Sequence, residues 1–331
     1  MFVVGGESLI DLVQERPGPD GIVRMTAHAG GSPYNCAIAL AKLGNDTGFL
    51  CPISKDGFGT YLLGPLEAAG VKPLLKDRVF EPTTLAVVTL NARMEAQYEF
   101  YRQADHAFTV DGLKAALPPT PEVFQIGGFC AIEPKDAAAW LEVAAEAKRR
   151  GATITMDPNV RPSLVSDFSA YKARLEPFFD LVNVVKVSIE DLLALARGKA
   201  TKPDDVTASE REDIVARYAE DFLSRPSCEL VIVTFGEQGS RAFTRSGTAT
   251  ATIYAPPVFG DTVGAGDSLM AGIITQLSET GDLAPGRLAA LGPERLAAML
   301  RFGAVVAGLN CAHKGCNPPT RPEVDAVLAG R

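Results

Sequence analysis

Histidine and tryptophan are the scarcest side chains in this 331-residue chain, which has three of the first and one of the second. So few imidazoles leave zinc chemistry little to work with. Six cysteines, at positions 36, 51, 130, 228, 311 and 316, lack paired CxxC spacing, and four lie in apolar surroundings that suggest buried thiols rather than a disulfide framework. Cys311 and Cys316 with His313 could start a metal site, but no second cluster completes a tetrahedral set. Positive charge is also in deficit: 32 Lys and Arg face 40 Asp and Glu, a formal charge of -8. That balance repels phosphate backbones and anionic lipid, so neither nucleic acid nor membrane is expected as a partner. No apolar run approaches the ~20 residues that span a bilayer. The opening MFVVGGESLIDLV has no basic region and two acids, so it is expected to be neither signal peptide nor anchor, and the chain to be cytoplasmic. Two familiar phosphate motifs are missing as well. There is no GxxxxGK[ST], since Gly198-Lys199 is followed by alanine, and VVGGESL lacks the glycines of a dinucleotide fold.

What is present is an alternation. Short β-branched runs (FVVG, TGFLCPI, EVFQIGG, TITMDPN, LVNVVKV, ELVIVTFG) are separated by helical patterns, the mark of an α/β fold with a mostly parallel sheet flanked by helices. A helix is predicted over Lys135–Arg150, its stripe formed by Trp140, Val143, Ala144 and Ala147, and another over Glu294–Asn310. Two segments lack crossover helices: Gly21–His28, and a hairpin over Thr83–Tyr101. They read as a small β-layer on one edge of the main sheet, able to cover a ligand or pair with another subunit. The expected division is a core of residues 1–12, 29–82 and 104–331, with a β-sheet lid from 13–28 and 83–103. Gly198–Glu210 reads as a surface loop, and no internal repeat is visible.

Chemistry concentrates in two glycine-rich stretches. In FGDTVGAGDSLM, a helix predicted from Asp267 to about Leu277 would turn the amides of Ala265, Gly266 and Asp267 outward at its positive end, a nest for an anionic oxygen. Taken alone, Asp267 fits a helix cap worth about 1 kcal/mol better than a catalyst. In HAGGSPYNCAIALA, adjacent glycines let a polar ligand approach the backbone while Asn35 offers a donor and an acceptor; a tight turn capped by Ser32 is the alternative. Asp11 lies among apolar residues in SLIDLV, where burial demands a partner such as a sugar hydroxyl.

GGSPYNCA followed more than two hundred residues later by DTVGAGDS closely resembles the paired signatures of the ribokinase-like (PfkB) sugar kinases, and the likeness runs over nearly the whole chain. SKDGFG at Ser54–Gly59 is similar to the family's GxDxFG turn, with serine at the first glycine. TFGEQGS at Thr234–Ser240 looks like its nucleotide loop, and NCAHKGCNPP like the segment that closes around adenine and a monovalent cation. The resemblance implies an ATP-dependent transferase using Mg2+, with K+ dependence open. Asp267 would be the general base, and Gly264, Ala265 and Gly266 the anion hole. Asp11, Gly30, Gly31 and Asn35 would hold sugar hydroxyls, joined by Phe100, Arg102 and Arg161. Ser188, Thr234, Gly236, Gly239, Gly266 and Asn310 would meet ATP. Where the family carries N-x-x-E near the metal, this chain has Ser188 and Asp191, with Glu190 competing for the acidic role; Asp261 and Val263 would face the monovalent cation.

Within the family, GESLIDLV, GGSPYN, YEFYRQADHAF and DPNVRP look most like bacterial fructokinases. The implied reaction is D-fructose to fructose 6-phosphate. A 2-keto-3-deoxygluconate kinase is the alternative, since Arg102 and Arg161 could meet a carboxylate or instead pair with acids such as Asp157 or Asp105. Nucleoside kinases share the fold, and a non-catalytic sugar-binding regulator is the reading from another class. The small β-layer makes a homodimer a plausible assembly.

Overall fold

The computed structural model describes residues 1–15, 22–90, 96–284 and 286–330. The main sheet contains β1 (Phe2–Gly5), β4 (Thr47–Leu50), β5 (Lys72–Pro73), β8 (Val123–Gly127), β9 (Thr153–Asp157), β10 (Val184–Ser188), β11 (Leu230–Thr234), β12 (Ser240–Thr244) and β13 (Gly247–Ala251). Its nine strands run in the order β13-β12-β11-β10-β9-β8-β1-β4-β5. All neighbours are parallel except the β11–β12 and β12–β13 pairs. Residues alternate between two cores because side chains along a strand point to opposite faces: Phe2 and Val4 on β1 join one apolar cluster, Val3 the other. Ile232 and Val233 on β11 divide in the same way. Burial on both faces is why these strands read as unbroken apolar runs.

One face is covered by α3 (Val110–Ala116), α4 (Pro134–Arg149), α5 (Phe168–Leu181), α6 (Ile189–Arg197) and α7 (Ala208–Ser224). The other is covered by α1 (Ser32–Lys42), α2 (Gly57–Ala69), α8 (Ala265–Glu279), α9 (Pro293–Asn310) and α10 (Arg321–Leu328). The two helices predicted around Trp140 and Val305 thus stand within a residue of their expected bounds, and Trp140 is buried. The segment 198–210 is not all loop: Pro203–Asp205 forms a 3-10 turn and α7 starts at Ala208, capped by Thr207. None of the described helices is long and apolar enough to cross a membrane.

A second sheet of four strands has the order β3-β2-β6-β7, from β2 (Leu9–Gln14), β3 (Met25–Gly30), β6 (Leu85–Leu90) and β7 (Ala96–Tyr101). β2 pairs antiparallel with β3 and parallel with β6, and β6 pairs antiparallel with β7. β2 begins at Leu9, four residues ahead of the segment expected from 13, and its first residues, Leu9 and Ile10, are buried. Residues 16–21 of that segment, and 91–95 between β6 and β7, lie outside the described residues. The register sets Asp11 across from His28 and, through Ala86, in line with Phe100, so these side chains share one face of the small sheet.

Candidate active site

Parallel strands that end together create a crevice at their carboxyl ends. Here β1, β8, β9, β10 and β11 deliver Glu7, Gly128, Asp157, Lys186, Ser188 and Thr234 to one cavity of about 650 Å³. The small sheet covers it with Leu9, Asp11, Tyr98 and Phe100, and the starts of α1 and α8 close the remaining wall with Gly31, Ser32, Asn35, Gly264, Gly266 and Asp267.

α8 begins two residues earlier than the sequence pattern suggests, at Ala265, with Gly264 as its N-cap in the left-handed region (φ 74°) and no side-chain cap. Asp267 therefore does not cap its own helix. Its Oδ1 accepts the Ser32 hydroxyl at 2.6 Å and its Oδ2 accepts Asn35 Nδ2 at 2.9 Å. Both donors come from the start of α1, so the GGSPYN segment aims the carboxylate rather than capping with Ser32. Burial raises the Asp267 pKa to about 6; the two hydrogen bonds and Lys186 oppose the rise, and Asp157 adds to it.

The anion nest is smaller than the motif implies. Ala265 N donates to Thr262 O at 3.1 Å, which closes the turn, and Ala265 does not line the cavity. The amides of Gly266 and Asp267 remain, among the described residues, without a backbone acceptor, as expected in a first helical turn. Gly264 backs onto Cys316, whose Sγ would lie 2.3 Å from a Cβ there, and a Cβ on Gly266 would lie 2.9 Å from Lys186 Nζ. Glycine is thus required at 264 by backbone angle, whereas at 266 a Cβ would press only on the far end of the Lys186 side chain.

Lys186 was not singled out by motif. It is buried and its Nζ meets Asp157 Oδ2 at 2.7 Å. Burial would lower its pKa, but Asp157, Asp191 and Asp267 outweigh that and hold it above the usual value. Asn159 shares the cavity and has φ 46°, the one positive-φ non-glycine among the described residues; its amide folds onto Asp157 Oδ1 at 3.2 Å. Glu7 lies fully buried, accepting the Phe129 amide at 2.9 Å, and burial raises its pKa to about 7. The signal that could have found Lys186 is the one applied to Asp11, an ionisable residue inside an apolar strand run; Glu7 lies in the short link between β1 and β2.

On the lid side Asp11 has a pKa raised to about 6 by burial, with His28 opposing. Phe100 packs edge-on to Phe129 at 5.5 Å. Gly31 and Asn35 line the cavity, whereas Gly30 does not; it packs against the Asp11 carboxylate. Arg161 lines the cavity and donates to Val160 O at 3.2 Å. It does not pair with Asp157, which Lys186 occupies.

Four expected roles fall to residues that already have partners within the protein. Arg102 is turned away from the cavity: its guanidinium binds Asp105 Oδ2 at 2.5 and 2.7 Å and Asp136 Oδ2 at 2.9 Å, over the Phe129 ring. Two buried acids claim it, as the alternative reading allowed. Asp191 closes a capping box with Ser188, its Oδ2 accepting Ser188 N while Oδ1 accepts Val160 N, both at 2.8 Å. Each oxygen accepts one backbone N–H, so Asp191 organises the loop after β9 and keeps a lone pair on each oxygen at the cavity; Glu190, exposed at the cavity, is the freer acid. Asp261 and Val263 are likewise engaged, since Asp261 accepts the Val263 and Gly315 amides and Val263 O accepts Asn310 Nδ2. Asn310 is buried, also accepts the Asn317 amide, and ties the C-terminal segment to the turn before α8. Of the nucleotide-loop glycines, Gly236 lines the cavity beside Thr234 and Ser188, while Gly239 (φ 88°) makes the turn into β12.

A family model described as pfkB family carbohydrate kinase matches residues 1–323. Fructokinase-2 of Solanum lycopersicum is 30% identical over 341 aligned positions, covering 100% of this chain and 96% of that protein. Probable fructokinase-4 of Arabidopsis thaliana is 30% identical over 340 positions, 100% of this chain and 97% of the relative. Among solved structures, fructokinase of Xylella fastidiosa with bound ATP aligns with a TM-score of 0.83 at 26% identity, covering 99% of this chain and 98% of that one.

Proposed function

The chain belongs to the pfkB family of carbohydrate kinases, and from that premise we propose that it transfers the γ-phosphoryl group of ATP to D-fructose, giving fructose 6-phosphate. The observation that carries the chemistry is the Asp267 carboxylate, aimed by Ser32 and Asn35 beside the open amides of Gly266 and Asp267. Asp267 takes the proton of the attacking hydroxyl as that oxygen bonds to γ-phosphorus and the bond to the ADP oxygen breaks. The open amides and Lys186 stabilise charge on the equatorial oxygens, the larger part of catalysis in a phosphoryl transfer. Asp11, Asn35 and the backbone at Gly31 hold the sugar hydroxyls under Phe100, and Ser188, Thr234 and Gly236 meet the nucleotide.

Magnesium takes oxygen donors, and the cavity's carboxylates fit that preference: Glu190, the freer acid, would hold the ion, with Asp191 beside it. It supplies neutralisation of the phosphates. For a monovalent cation, the carboxylate of Asp261 and the carbonyl of Val263 each accept one protein N–H per oxygen and keep a lone pair, so they would still be able to hold it.

A neutral sugar is favoured over a sugar acid by charge. Six carboxyl groups line the cavity (Glu7, Asp11, Asp157, Glu190, Asp191, Asp267) against two cations, Arg161 and Lys186. Lys186 is partly offset by Asp157, though its ammonium keeps donors for phosphate, and Arg102 is neutralised outside. The names of the relatives favour fructose over other neutral sugars. A coupled ADP-release screen over hexoses, sugar acids and nucleosides tests the assignment: fructose should give the highest kcat/KM, and turnover confined to a sugar acid or a nucleoside would overturn it. A homodimer closing over the small sheet is supported by Val13 and Tyr98, which are 38% and 54% exposed on the face turned to the cavity. Sedimentation should give twice the chain mass; a monomer at micromolar concentration refutes it.

A further inference from the structure

Where β7 runs back into the α/β core, the chain places Arg102, Asp105 and His106 against the start of α4, which contributes Glu133 as N-cap residue and Asp136 in its first turn. None of these side chains lines the active-site cavity. His106 instead lines a separate cavity of about 700 Å³, with its Nε2 turned into the protein.

Two buried polar atoms in this cluster have no hydrogen-bond partner: His106 Nε2 and Asp136 Oδ1. Asp136 is wholly inaccessible, and Arg102 occupies only its other oxygen, so Oδ1 is a desolvated acceptor with nothing to accept. Nε2 lies 3.8 Å from Glu133 Oε1, 3.9 Å from Asp136 Oδ2 and 3.7 Å from Asp105 Oδ2, too far for hydrogen bonds to any of them. One ligand atom each from His106, Glu133 and Asp136 lie within 4.8 Å of one another. A tetrahedral ion with bonds of ~2.1 Å separates its ligand atoms by about 3.4 Å, so the edges from Nε2 to Glu133 Oε1 and Asp136 Oδ2 need to contract by about half an ångström. The charges fit as well. Asp105, Glu133 and Asp136 set three negative charges against the single positive charge of Arg102, and a divalent cation would bring the cluster to neutrality. One imidazole with carboxylate oxygens suits Zn2+ better than Mg2+ or Ca2+, which prefer oxygen alone.

We propose that His106 Nε2 with the carboxylates of Glu133 and Asp136 forms a structural Zn2+ site that clips the foot of the small sheet to α4. Asp105 Oδ2 or a water completes the coordination, and Arg102 keeps its hold on Asp136 Oδ2 as an outer partner that fixes the ligand.

The test is calorimetric titration of Zn2+ alone into the full-length, EDTA-treated protein, with a thermal melt alongside. The wild type should bind one equivalent and gain thermal stability. His106→Ala and Glu133→Gln should each bind at least ~100-fold more weakly, more than the loss of an outer partner costs. His313→Ala, at the Cys311–Cys316 segment, should bind as the wild type does. Absence of a stoichiometric site in the wild type overturns the proposal, as does wild-type affinity in His106→Ala or loss of binding in His313→Ala. Glu133 is half exposed, so Glu133→Gln keeps the test decisive if the histidine variant does not fold.

Discussion

Replacing Asp267 by asparagine separates the two things its carboxylate does. Asparagine retains one oxygen, which can still accept from Asn35 Nδ2, while its amide group faces Ser32, whose hydroxyl can rotate from donor to acceptor. Both partnerships at the mouth of α1 survive, so the variant should fold and bind both substrates. What it loses is a proton acceptor. A positioned base contributes ~10² to 10⁴ in rate, or about 3 to 5 kcal/mol of barrier, and kcat should fall by that factor with little change in sugar KM. The pH profile sharpens the test. With a pKa of about 6 in the free enzyme, the wild-type carboxylate is roughly nine-tenths ionised at pH 7 and one-tenth at pH 5, so kcat/KM should drop about tenfold between them. Glu7 and Asp11, raised to about 7 and about 6, titrate in the same interval, which makes the difference between the two enzymes the diagnostic quantity. Initial rates by coupled ADP release from pH 5 to 8 give it. A variant that keeps kcat within a factor of three, or that loses activity while retaining the wild-type limb at pH 6, would refute the base assignment.

Arg102→Ala should destabilise the protein by about 3 to 5 kcal/mol, because it strands the buried carboxylates of Asp105 and Asp136. Urea unfolding measures this, and a small stability loss with a large rise in sugar KM would mean the arginine serves substrate instead. Gly266→Ala should leave stability unchanged or raise it by up to about 1 kcal/mol, since alanine suits a helix better. The new methyl pushes on Lys186 Nζ, so kcat should fall about 10²-fold, as misplaced charge at a phosphoryl-transfer site predicts; a melt and a rate on one sample decide it. Glu7→Gln tests linkage. The folded pKa of about 7 lies above the ordinary 4.5, so the proton stabilises the native state below pH 4.5 and that contribution is lost as pH rises through 7. Glutamine, which never ionises, should therefore match wild type in stability near pH 4.5 and exceed it at pH 8, by at most about 3 kcal/mol; equal unfolding free energies at both pH values would refute the buried, proton-linked reading.

How much of this was legible in the sequence depends on whether a feature is local. The strands of the main sheet were readable because burial on both faces writes an unbroken apolar run, and α4 because Trp140, Val143, Ala144 and Ala147 keep helical spacing toward one core. The site's walls were legible through glycines, which a backbone needs at Gly264 whatever else surrounds it. Pairing across the fold is different. Arg102 reads in FYRQAD either as a substrate contact or as a partner of Asp105, and the second acid that helps to neutralise it, Asp136, is 34 residues away on α4. Asp191 matches a metal-binding pattern, yet a capping box and the Val160 amide each draw on one of its oxygens. Lys186 and Asp157 each sit in an apolar strand, and only the parallel pairing of β9 and β10 brings them together as an ion pair beside α8. A motif records which side chains a site can use, and the sheet order decides which of them are already occupied. In this site the decision leaves Asp267, Lys186 and Glu190 facing the cavity, with Arg102 and Asp191 holding the frame around them.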